Sequence, residues 1–538
     1  MQADLKPIEF NAIRKFLERL AFTPYGADAA RALEPAPSLE VARQMQAAVS
    51  AARRFHDSGQ RLDIGALPDV RPALRQSASV GASLSGQALF NLQQVMQACA
   101  RLYELLQTYT EIYPGSLQDL LPPPAVVERL SRTLVGAGSL RDDATPKLAE
   151  LFAERSKLRA EAERVVLQRM ERFDLRGLIK DEKKVAWHHE RAVLTIPAKE
   201  SDRVKGVRRD TRLGGRDVLV EPMEAVQVNN RLEALNGQIG TEQQRLFRSI
   251  TALVREHLDA LQKMISALTW IDLALAAGRL SQAMNAHAPR LVETPELVLH
   301  EAYHPLLLIQ FAEGKGPQPV PLTLALDKQD RLLVITGPNT GGKTVALKTL
   351  GLLTTMAHCG LHIPAERDCT IGAYRRVIVD VGDHQSLYHQ LSTFAGHVEV
   401  LKRVLEMADG ETLVLLDELG TGTDPEEGAA LAMAVLDELL GRGAQGVVNT
   451  HLAPLKEYAS GHPGVRNASM RFDPTTLRPT YELCVGRPGE SLGLIIAEQN
   501  GLPETLVKRA REHLLAIKGQ EAKPSLPEHE RMHSPRWR

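Results

Sequence analysis

The sequence predicts an α plus α/β fold, in which a helical first part is followed by an α/β domain with a parallel-rich sheet. Before about residue 300, apolar residues recur at spacings of three and four, as Ile13, Phe16, Leu17 and Leu20 do, and this spacing is typical of amphipathic helices. After that point, short β-branched runs alternate with helical patterns, which is typical of parallel strands covered by helices. A length of 538 residues is sufficient for several domains.

Two long helices are predicted in the first part, from Pro146 to about Phe173 and from about Glu224 to Ala277. We call them the lever helices, because they flank a short insert, residues 176–217, at what would be their tip. This basic insert contains twelve Lys and Arg residues against seven Asp and Glu, a net charge of +5, whereas the whole chain has a formal net charge of −1. Charge alone is compatible both with a solvated surface loop and with a contact to nucleic-acid phosphates.

Four apolar, β-branched runs in the second part are predicted to be strands: 331–336, 374–381, 412–417 and 445–450. The last segment, 518–538, is polar and contains proline, so it is predicted to be a disordered tail. The predicted domains are a helical core and lever domain (1–300, with the insert), an α/β domain (301–517) and the tail (518–538).

The composition excludes several classes of protein. A hydrophobic content of 43% excludes wholesale disorder. The four cysteines are far apart and form no C-x-x-C pair, which argues against a disulfide framework and against a zinc site. The first residues form a charged amphipathic pattern rather than a signal peptide, and no apolar run approaches the ~18 residues of a membrane span. We therefore expect a cytoplasmic protein without a membrane partner.

The strongest local motif is a glycine-rich loop that fits G-x-x-x-x-G-K-[ST] between a predicted strand and a predicted helix. Glycines allow successive backbone N–H groups to surround phosphates, and a helix N-terminus adds a favourable potential. Lys343 is expected to contact the β- and γ-phosphates, and the Thr344 hydroxyl to bind Mg²⁺. The alternative is a glycine-rich turn without a ligand. The residues of this phosphate loop are Gly337, Pro338, Asn339, Thr340, Gly341, Gly342, Lys343 and Thr344.

Two carboxylates, Asp417 and Glu418, follow the apolar run at 412–416. Asp417 is suited to hold Mg²⁺, and Glu418 is suited to polarise the water that attacks a γ-phosphate. An apolar run that ends in Asp-Glu also occurs where a strand simply leaves the core. The phosphate loop some seventy residues upstream favours the catalytic interpretation.

Three shorter segments fit the same arrangement. Ser392-Thr393-Phe394 lies at a predicted helix start, where hydroxyl and N–H groups can contact a phosphate, although an ordinary helix cap has the same pattern. The Gly420–Pro425 segment is either a backbone-rich contact loop or a simple strand-to-helix turn. His451 directly follows the run 445–450, at the sheet edge where side chains face ligands, although a single histidine there is often structural.

In this order, the motifs resemble those of one family. Residues 301–510 resemble the ATPase domain of the bacterial MutS family, which is itself similar to the ATP-binding-cassette (ABC) ATPases. The stretches 417–432 and 391–397 resemble the MutS-two branch more than the mismatch-repair branch, and the resemblance extends to 8–26 and 221–232. The matching motifs are GPNTGGKT (337–344), STF (392–394), LLDELGTGTDPEEG (415–428) and NTH (449–451).

The resemblance implies a homodimer that hydrolyses ATP with Mg²⁺, in which each ATP lies between the phosphate loop of one subunit and the Ser-Thr-Phe segment of the other. Ser392 would contact a γ-phosphate across the interface and His451 would sense it, beside Lys343 and Glu418 as the other catalytic residues. The lever tips would form a clamp on branched, recombination or damaged DNA, selective for DNA structure and not for base sequence. The insert residues expected to bind DNA are Lys205, Arg208, Arg209, Arg212 and Arg216.

The chain also departs from the family pattern. It has no N-terminal mismatch-reading domain and no room for the C-terminal Smr nuclease domain of typical MutS-two proteins, so nuclease activity is not expected in this chain. Tyr303-His304-Pro305 stands where the family has Arg-His-Pro, a change expected to affect adenine packing. The alternative function is a ribosome-associated ATPase that splits stalled or collided ribosomes and grips ribosomal RNA. A module that binds ATP without hydrolysis is disfavoured because Lys343, Asp417 and Glu418 occur together.

Overall fold

The structure is a computed structural model that describes the chain except residues 4, 61, 63–64, 137, 173–184, 213–215, 338–340, 382–392, 474–475, 477, 490–493, 495–496, 499–500 and 522–538. It divides into two compact units. Unit 1 comprises Met1–Ala21, Ala27–Arg61 and Leu273–Arg538, and unit 2 comprises Phe22–Gly26 and Leu62–Asp272.

Helices occur in both units, and the described residues include 3₁₀ helices at Thr110–Ile112, Leu117–Leu120 and Ala198–Arg203. In chain order the α-helices are α1 (Phe10–Leu20), α2 (Pro24–Arg31), α3 (Leu39–Asp57), α4 (Arg71–Ser77), α5 (Gly86–Leu105), α6 (Pro124–Thr133), α7 (Pro146–Arg172), α8 (Met223–Glu256), α9 (Leu258–Ala283), α10 (Pro305–Ala312), α11 (Lys343–His358), α12 (Thr393–Met407), α13 (Pro425–Gly441), α14 (Pro454–Gly461) and α15 (Glu504–Glu521).

Strands are concentrated after residue 290 and in the insert. They are β1 (Gln2–Ala3), β2 (Leu134–Val135), β3 (Ser139–Leu140), β4 (Ala186–His188), β5 (Arg191–Pro197), β6 (Gly206–Arg212), β7 (Asp217–Pro222), β8 (Arg290–Val292), β9 (Leu297–Ala302), β10 (Leu322–Leu326), β11 (Leu332–Thr336), β12 (Thr370–Gly372), β13 (Arg376–Asp380), β14 (Thr412–Leu416), β15 (Gln445–Thr450), β16 (Val465–Phe472) and β17 (Pro479–Val485).

The main sheet of unit 1 has seven strands in the order β1-β13-β14-β15-β11-β16-β17. Neighbours are parallel except β16 and β17, which are antiparallel. The four strands predicted from the sequence are β11, β13, β14 and β15, so the prediction of a parallel-rich sheet is confirmed. Because parallel strands end at the same edge, the residues that follow β11, β14 and β15 meet there.

The central strands of the main sheet are buried on both faces, as expected for parallel strands between two layers of helices. One face packs against α12, α13 and α14 through a shared apolar core that includes Val334, Val414 and Leu436. Leu415 points to the opposite face, towards α11. There a Cβ added to Gly351 would lie 3.1 Å from Leu415 and 2.6 Å from Ile8, so the helix approaches the sheet closely.

A second sheet of unit 1 has the order β10-β9-β12-β8. β9 is antiparallel to both of its neighbours, and β12 is parallel to β8. The sequence analysis did not predict these strands. Two of them, β8 and β12, are only three residues long, which is too short for a periodic pattern to be recognised.

The lever helices of unit 2 are α7 and α8. Arg169, near the end of α7, pairs with Glu224 at the start of α8 at 3.1 Å, and Lys147, at the start of α7, pairs with Glu242 at 3.6 Å, so the helices run antiparallel. The prediction of a helix from Pro146 to about Phe173 is confirmed by α7. The helix predicted from Glu224 to Ala277 is divided at His257 into α8 and α9, because His257 leaves the helical conformation.

The insert between α7 and α8 contains a four-stranded antiparallel sheet, β4-β5-β7-β6, which we call the tip sheet. β6 lies at its edge, and a bulge between Arg208 and Asp210 interrupts the pairing of β6 with β7. The first nine residues of the predicted insert, 176–184, lie outside the described residues.

The compact units divide the chain differently from the predicted boundary at residue 300. Unit 1 includes the N-terminus, because Gln2 and Ala3 pair with Arg376 and Val377 as the edge strand of the main sheet. The predicted tail begins at residue 518, whereas α15 continues to Glu521; residues 522–538 are outside the described part of the chain.

α9 is long and apolar enough to cross a membrane, by length and composition only, and the sequence analysis expected no such segment. Of its apolar stretch, 67% is buried inside the protein, as in the core helices of folded domains. A mostly buried core helix has the same length and composition, so this helix does not contradict the expectation of no membrane partner.

Candidate functional site

The phosphate loop begins where β11 ends and leads directly into α11. Gly337 and Gly342 have φ values of 126° and 92°, a conformation that glycine adopts without strain. A Cβ added to Gly341 would lie 3.0 Å from Cβ of Met470, and one added to Gly342 would lie 3.0 Å from the Tyr481 ring. Of the predicted loop residues, Pro338, Asn339 and Thr340 are outside the described residues.

Lys343 is the first residue of α11, and its side chain is buried. Its ammonium donates to the carbonyl oxygens of Gly337 and, at 3.3 Å, of Thr450. Burial lowers the pKa of Lys343, and the charges of Asp417 and Glu418 oppose that effect. The cation is therefore held inside its own loop by neutral acceptors that a phosphate oxygen can replace.

Thr344 and Asp417 form the centre of the site. The Thr344 hydroxyl donates to Oδ2 of Asp417 at 2.6 Å, so a residue of α11 meets one that follows β14. Mg²⁺ prefers oxygen ligands and is often held by one or two protein oxygens together with phosphates and water. The hydroxyl and the carboxylate supply such oxygens, and both residues are partly exposed, so this pair fits the ion.

The described residues contain no group of three or more His, Cys, Asp or Glu side chains that could hold a metal ion. The Thr344 and Asp417 pair leaves coordination positions that phosphate oxygens and water can fill, which agrees with its position beside the phosphate loop.

Glu418 has a φ of 54°, a left-handed conformation that is uncommon for residues other than glycine. Backbone hydrogen bonds hold the residues on both sides of Glu418. The Asp417 N–H donates to the carbonyl oxygen of Asp380 at 2.9 Å, and the Leu419 N–H donates to the carbonyl oxygen of Asn449 at 3.0 Å. Strained backbone of this kind is concentrated at functional sites. The charge of Glu418 acts on the Lys343 ammonium, so its carboxylate lies near the phosphate loop.

The loop after Glu418 meets the start of α12 within one chain. A Cβ added to Gly422, whose φ is 91°, would lie 3.3 Å from the backbone of Phe394. Asp424 then caps α13 through the N–H groups of Glu426 and Glu427. The backbone of Thr393 begins α12, but Ser392 and the Thr393 side chain lie outside the described part. His451 directly follows β15 and is exposed.

A cavity of about 240 Å³ opens beside the phosphate loop. Its walls are mainly apolar, with Val345 and Ala346 of α11 on one side and the segment 316–320 on another. Burial lowers the pKa of His304, which lines the cavity, to about 4, and its Nδ1 has no hydrogen-bond partner. The imidazole is therefore neutral at physiological pH. Met470, Tyr481 and Leu483 also line the cavity.

Three residues of this region were missed by the sequence analysis. Tyr481 lies against Gly342, Asn449 donates to Asp417 at 3.0 Å, and Lys456 donates to the carbonyl of Gly489 at 2.6 Å beside the phosphate loop. Asn449 belongs to the NTH motif (449–451), where it was given no role, and neither Tyr481 nor Lys456 belongs to a motif. For Asn449 a signal was present, since a polar residue interrupts an otherwise apolar run, 445–450, that is predicted to be a buried strand.

In the basic insert, two of the counted cations have an internal role. Glu221 is fully buried and accepts hydrogen bonds from Arg191, Arg209 and, at 2.8 Å, Asn229. Burial by itself would raise the pKa of Glu221, but these donors outweigh it and hold the pKa below its usual value. Arg209, which the sequence analysis expected to bind DNA, is therefore bonded to the carboxylate of Glu221, a residue just after the predicted insert.

The other residues expected to bind DNA differ in their surroundings. Lys205 and Arg216 are exposed, and Arg208 is exposed beside Asp202, with which it pairs. Arg212 ends β6, but its side chain lies outside the described part. Surface pairs such as Arg208–Asp202 contribute only about 0–1 kcal/mol, so a phosphate can replace the carboxylate.

Known proteins are similar to this chain over most of its length. The MutS domain V model of protein families matches residues 333–518. The endonuclease MutS2 of Thermus thermophilus is 38% identical over 514 residues, 95% of this chain and 66% of the relative. Those of Thermomicrobium roseum and Geobacillus thermodenitrificans are 37% and 33% identical, over 95% and 96% of this chain.

The alignments cover 65–66% of these three relatives, so the chain spans slightly less than two thirds of their length. The match to domain V includes the phosphate loop, Asp417, Glu418 and His451, which the structure brings to one edge of the main sheet. The chain belongs to the MutS2 family, and its residues 333–518 correspond to MutS domain V, the ABC-type ATPase domain of that family.

Proposed function

We propose that the chain binds ATP with Mg²⁺ at the edge of the main sheet and hydrolyses it, using residues 301–517 as its ATPase domain. The observation that carries this proposal is the meeting of Lys343, Thr344 and Asp417 beside the phosphate loop. Mg²⁺, when bound, neutralises charge on the β- and γ-phosphates. Lys343 would exchange its carbonyl partners for phosphate oxygens, and Glu418 would orient the attacking water and polarise it.

The nucleobase would occupy the cavity beside the loop. Its apolar walls suit a flat aromatic ring, and Tyr481, which lies next to Gly342, and the neutral His304 are both part of the lining. Because the base site and the phosphate site share α11, a nucleotide that fills both would contact Gly342 with its phosphates and Val345 with its base.

The test of hydrolysis uses two substitutions at the site. Lys343→Met removes the phosphate cation and should abolish ATP binding, whereas Glu418→Gln should retain binding and slow turnover by at least a hundredfold. Glu438→Gln, in an exposed surface pair with Arg442, is the matched control and should leave both unchanged. Turnover of the Glu418→Gln protein within twofold of the unmodified chain would contradict the role of Glu418.

We also propose a homodimer in which Ser392 of one chain contacts ATP on the other, with His451 as the sensor of the γ-phosphate. The contact of Gly422 with Phe394 supports only that these segments are adjacent within one chain. A mixture of Lys343→Met and Ser392→Ala proteins, each inactive alone, should regain activity, because one site of the mixed dimer has both residues intact. Absence of recovery in a mixture that forms dimers would exclude catalysis across the interface.

For unit 2 we propose a clamp that binds DNA according to its structure. We also propose that the protein is cytoplasmic. The clamp is supported by the exposed cations Lys205, Arg208 and Arg216 on the tip sheet and its adjoining loop. Phosphate contacts of this kind give affinity without base reading and weaken with salt, by a slope of roughly −0.9 per neutralised phosphate. The tip sheet should therefore distinguish DNA shapes and not base sequences.

The DNA test reverses the charge of the exposed cations and spares Arg209, whose partner is buried. Lys205→Glu, Arg208→Glu and Arg216→Glu together should abolish retention of a Holliday junction in a low-salt gel shift and leave basal ATPase unchanged. The control reverses the exposed Arg101, Arg132 and Lys263 elsewhere in unit 2. Equal retention of the junction by both triple variants would show that the tip sheet is not the DNA-binding surface.

The ribosome is the alternative target, because ribosomal RNA presents the same phosphates. Competition between junction, mismatched and plain duplex DNA and ribosomes, with and without ATP, separates the two targets. Preferential binding to ribosomes would replace the DNA proposal and leave the ATPase proposal intact.

A further inference from the structure

The Asp417 carboxylate has a second partner from a neighbouring strand. Its Oδ2 accepts from Thr344, as described, and its Oδ1 accepts from the side-chain amide of Asn449 at 3.0 Å. Asn449 belongs to β15, which lies between β14 and β11, and its backbone pairs with Ile335 in register. One oxygen of the carboxylate thus faces the phosphate-loop helix, and the other is held by the sheet.

Asn449 is fully buried on a strand whose neighbouring residues, Val447 and Val448, are apolar. Its side-chain oxygen Oδ1 is buried without a hydrogen-bond partner. Turning the amide over would place this oxygen against the carboxylate, where two acceptors repel, so the nitrogen faces Asp417. An unpartnered buried acceptor destabilises a fold, and an apolar residue of the same shape would avoid that cost. Stability therefore does not explain an asparagine at this position.

We propose that Asn449 is a positioning residue for the metal carboxylate. Its amide holds Oδ1 of Asp417 and thereby directs Oδ2 towards Thr344 and the Mg²⁺ that this pair would bind. The inference rests on the proposed ATPase function, and it assigns to Asn449 no contact with nucleotide or metal. Partners of this kind orient metal ligands, and their loss typically weakens metal binding by about 10–100-fold.

The local geometry indicates why the carboxylate needs such a partner. A carboxylate group turns about its last bond with little preference, and Asp417 is only partly buried. A competing cation is close by, because the charge of Asp417 acts on the Lys343 ammonium. A carboxylate released from Asn449 would be able to turn to that lysine, which would remove both groups from their proposed ligands.

The test compares two matched substitutions in the full chain. Asn449→Leu keeps the number of side-chain heavy atoms and removes the donor. Asn467→Leu makes the same chemical change on β16, where another buried asparagine has an unpartnered Oδ1 and donates to Lys456 and Ser460 instead of to Asp417. Binding of Mn²⁺ as the probe ion is measured by electron paramagnetic resonance with saturating ADP, and ADP affinity is measured in EDTA.

Asn449→Leu should weaken Mn²⁺ binding by about 10–100-fold, leave ADP affinity in EDTA within about twofold, and not lower the thermal midpoint. Asn467→Leu should leave Mn²⁺ affinity unchanged. Unaltered Mn²⁺ affinity in Asn449→Leu, or equal weakening in both variants, would overturn the inference. If Asn449→Leu does not fold, Asn449→Ala removes the same donor without added bulk and is judged by the same criteria. Failure of the unmodified chain to bind Mn²⁺ with ADP would instead refute the proposed function.

Discussion

Arg209→Glu should destabilise the tip sheet, because Arg209 is a partner of the buried Glu221 and not a free surface cation. Glu221 is fully buried, and its carboxylate accepts from Arg191, Arg209 and Asn229. The substitution removes one of two cations and introduces a second carboxylate next to the first.

The size of the effect follows from two contributions. Loss of a charge-assisted hydrogen bond costs about 2 kcal/mol, and two carboxylates at about 4 Å repel by roughly 4 kcal/mol at an effective dielectric constant of 20. The side chain at position 209 is 32% exposed, so the new carboxylate can turn towards water and escape part of the repulsion. We expect the tip sheet to lose about 3 kcal/mol of local stability, close to the about 3–5 kcal/mol observed when a buried ion pair is broken.

Hydrogen exchange measured by mass spectrometry on peptides from 186–222 is the appropriate assay, because the loss is local to the tip sheet. Arg216→Glu is the control, since Arg216 is exposed and makes no ion pair that the structure describes. About 3 kcal/mol corresponds to a more than hundredfold faster exchange at the protected amides of β5 and β7. Equal exchange in the two variants would refute the conclusion that Arg209 stabilises the buried Glu221, and Arg209 would again be a candidate for binding DNA.

Three further predictions concern other parts of the molecule. Tyr481→Ala should weaken ATP binding at least tenfold but leave inorganic triphosphate binding unchanged, because only the base contacts the cavity wall; equal losses in calorimetry would exclude a base contact. His304, His358 and His362 have pKa values lowered to about 4 by burial, so the unfolded chain binds their protons first as the pH falls below about 6.5. Above that pH the contribution of each histidine to the free energy of unfolding should be fully present, and at pH 5 each histidine should have lost about 2 kcal/mol of it. His358→Gln should reduce the fall in the free energy of unfolding between these pH values, measured by urea unfolding, by that amount; an unchanged pH dependence in His358→Gln would contradict this prediction. Gly26→Ala should destabilise unit 2 by about 2 kcal/mol or more, because the added Cβ would lie 2.2 Å from Oδ2 of Asp272, whereas Gly237→Ala in the middle of α8, with open space around it, should stabilise by about 0.5–1 kcal/mol; equal midpoints in thermal unfolding would show that the chain at Gly26 can move aside.

The sequence was most informative where function and local structure share one short segment. The phosphate loop has strand, glycines, lysine and helix within about fifteen residues, so its position between β11 and α11 followed from the pattern alone. The same holds for Asp417 and Glu418 after β14. Because parallel strands end at one edge, the pattern also predicted that these segments meet there.

The sequence was least informative where a residue acts through a distant partner. Charge counting placed Arg191 and Arg209 among the cations of the insert, although both face Glu221 from other strands of the tip sheet. Tyr481 meets Gly342 because β17 lies beside β16 and not because of any spacing in the chain. Asn449 was noticeable as part of the NTH motif and as a polar residue in an apolar run, with no indication of its partner.

By itself, the sequence determined four of the seven described strands of the main sheet (β11, β13, β14 and β15), their parallel arrangement, and the phosphate-loop motif between β11 and α11, because backbone patterns and phosphate loops are encoded over short stretches. Only the tertiary structure decided which cations are free for a ligand, which side chains border the base cavity, and which donor orients Asp417. The physical reason is that a side chain's partner and its burial depend on which strands become neighbours, and neighbours in a sheet are separated by long stretches of chain.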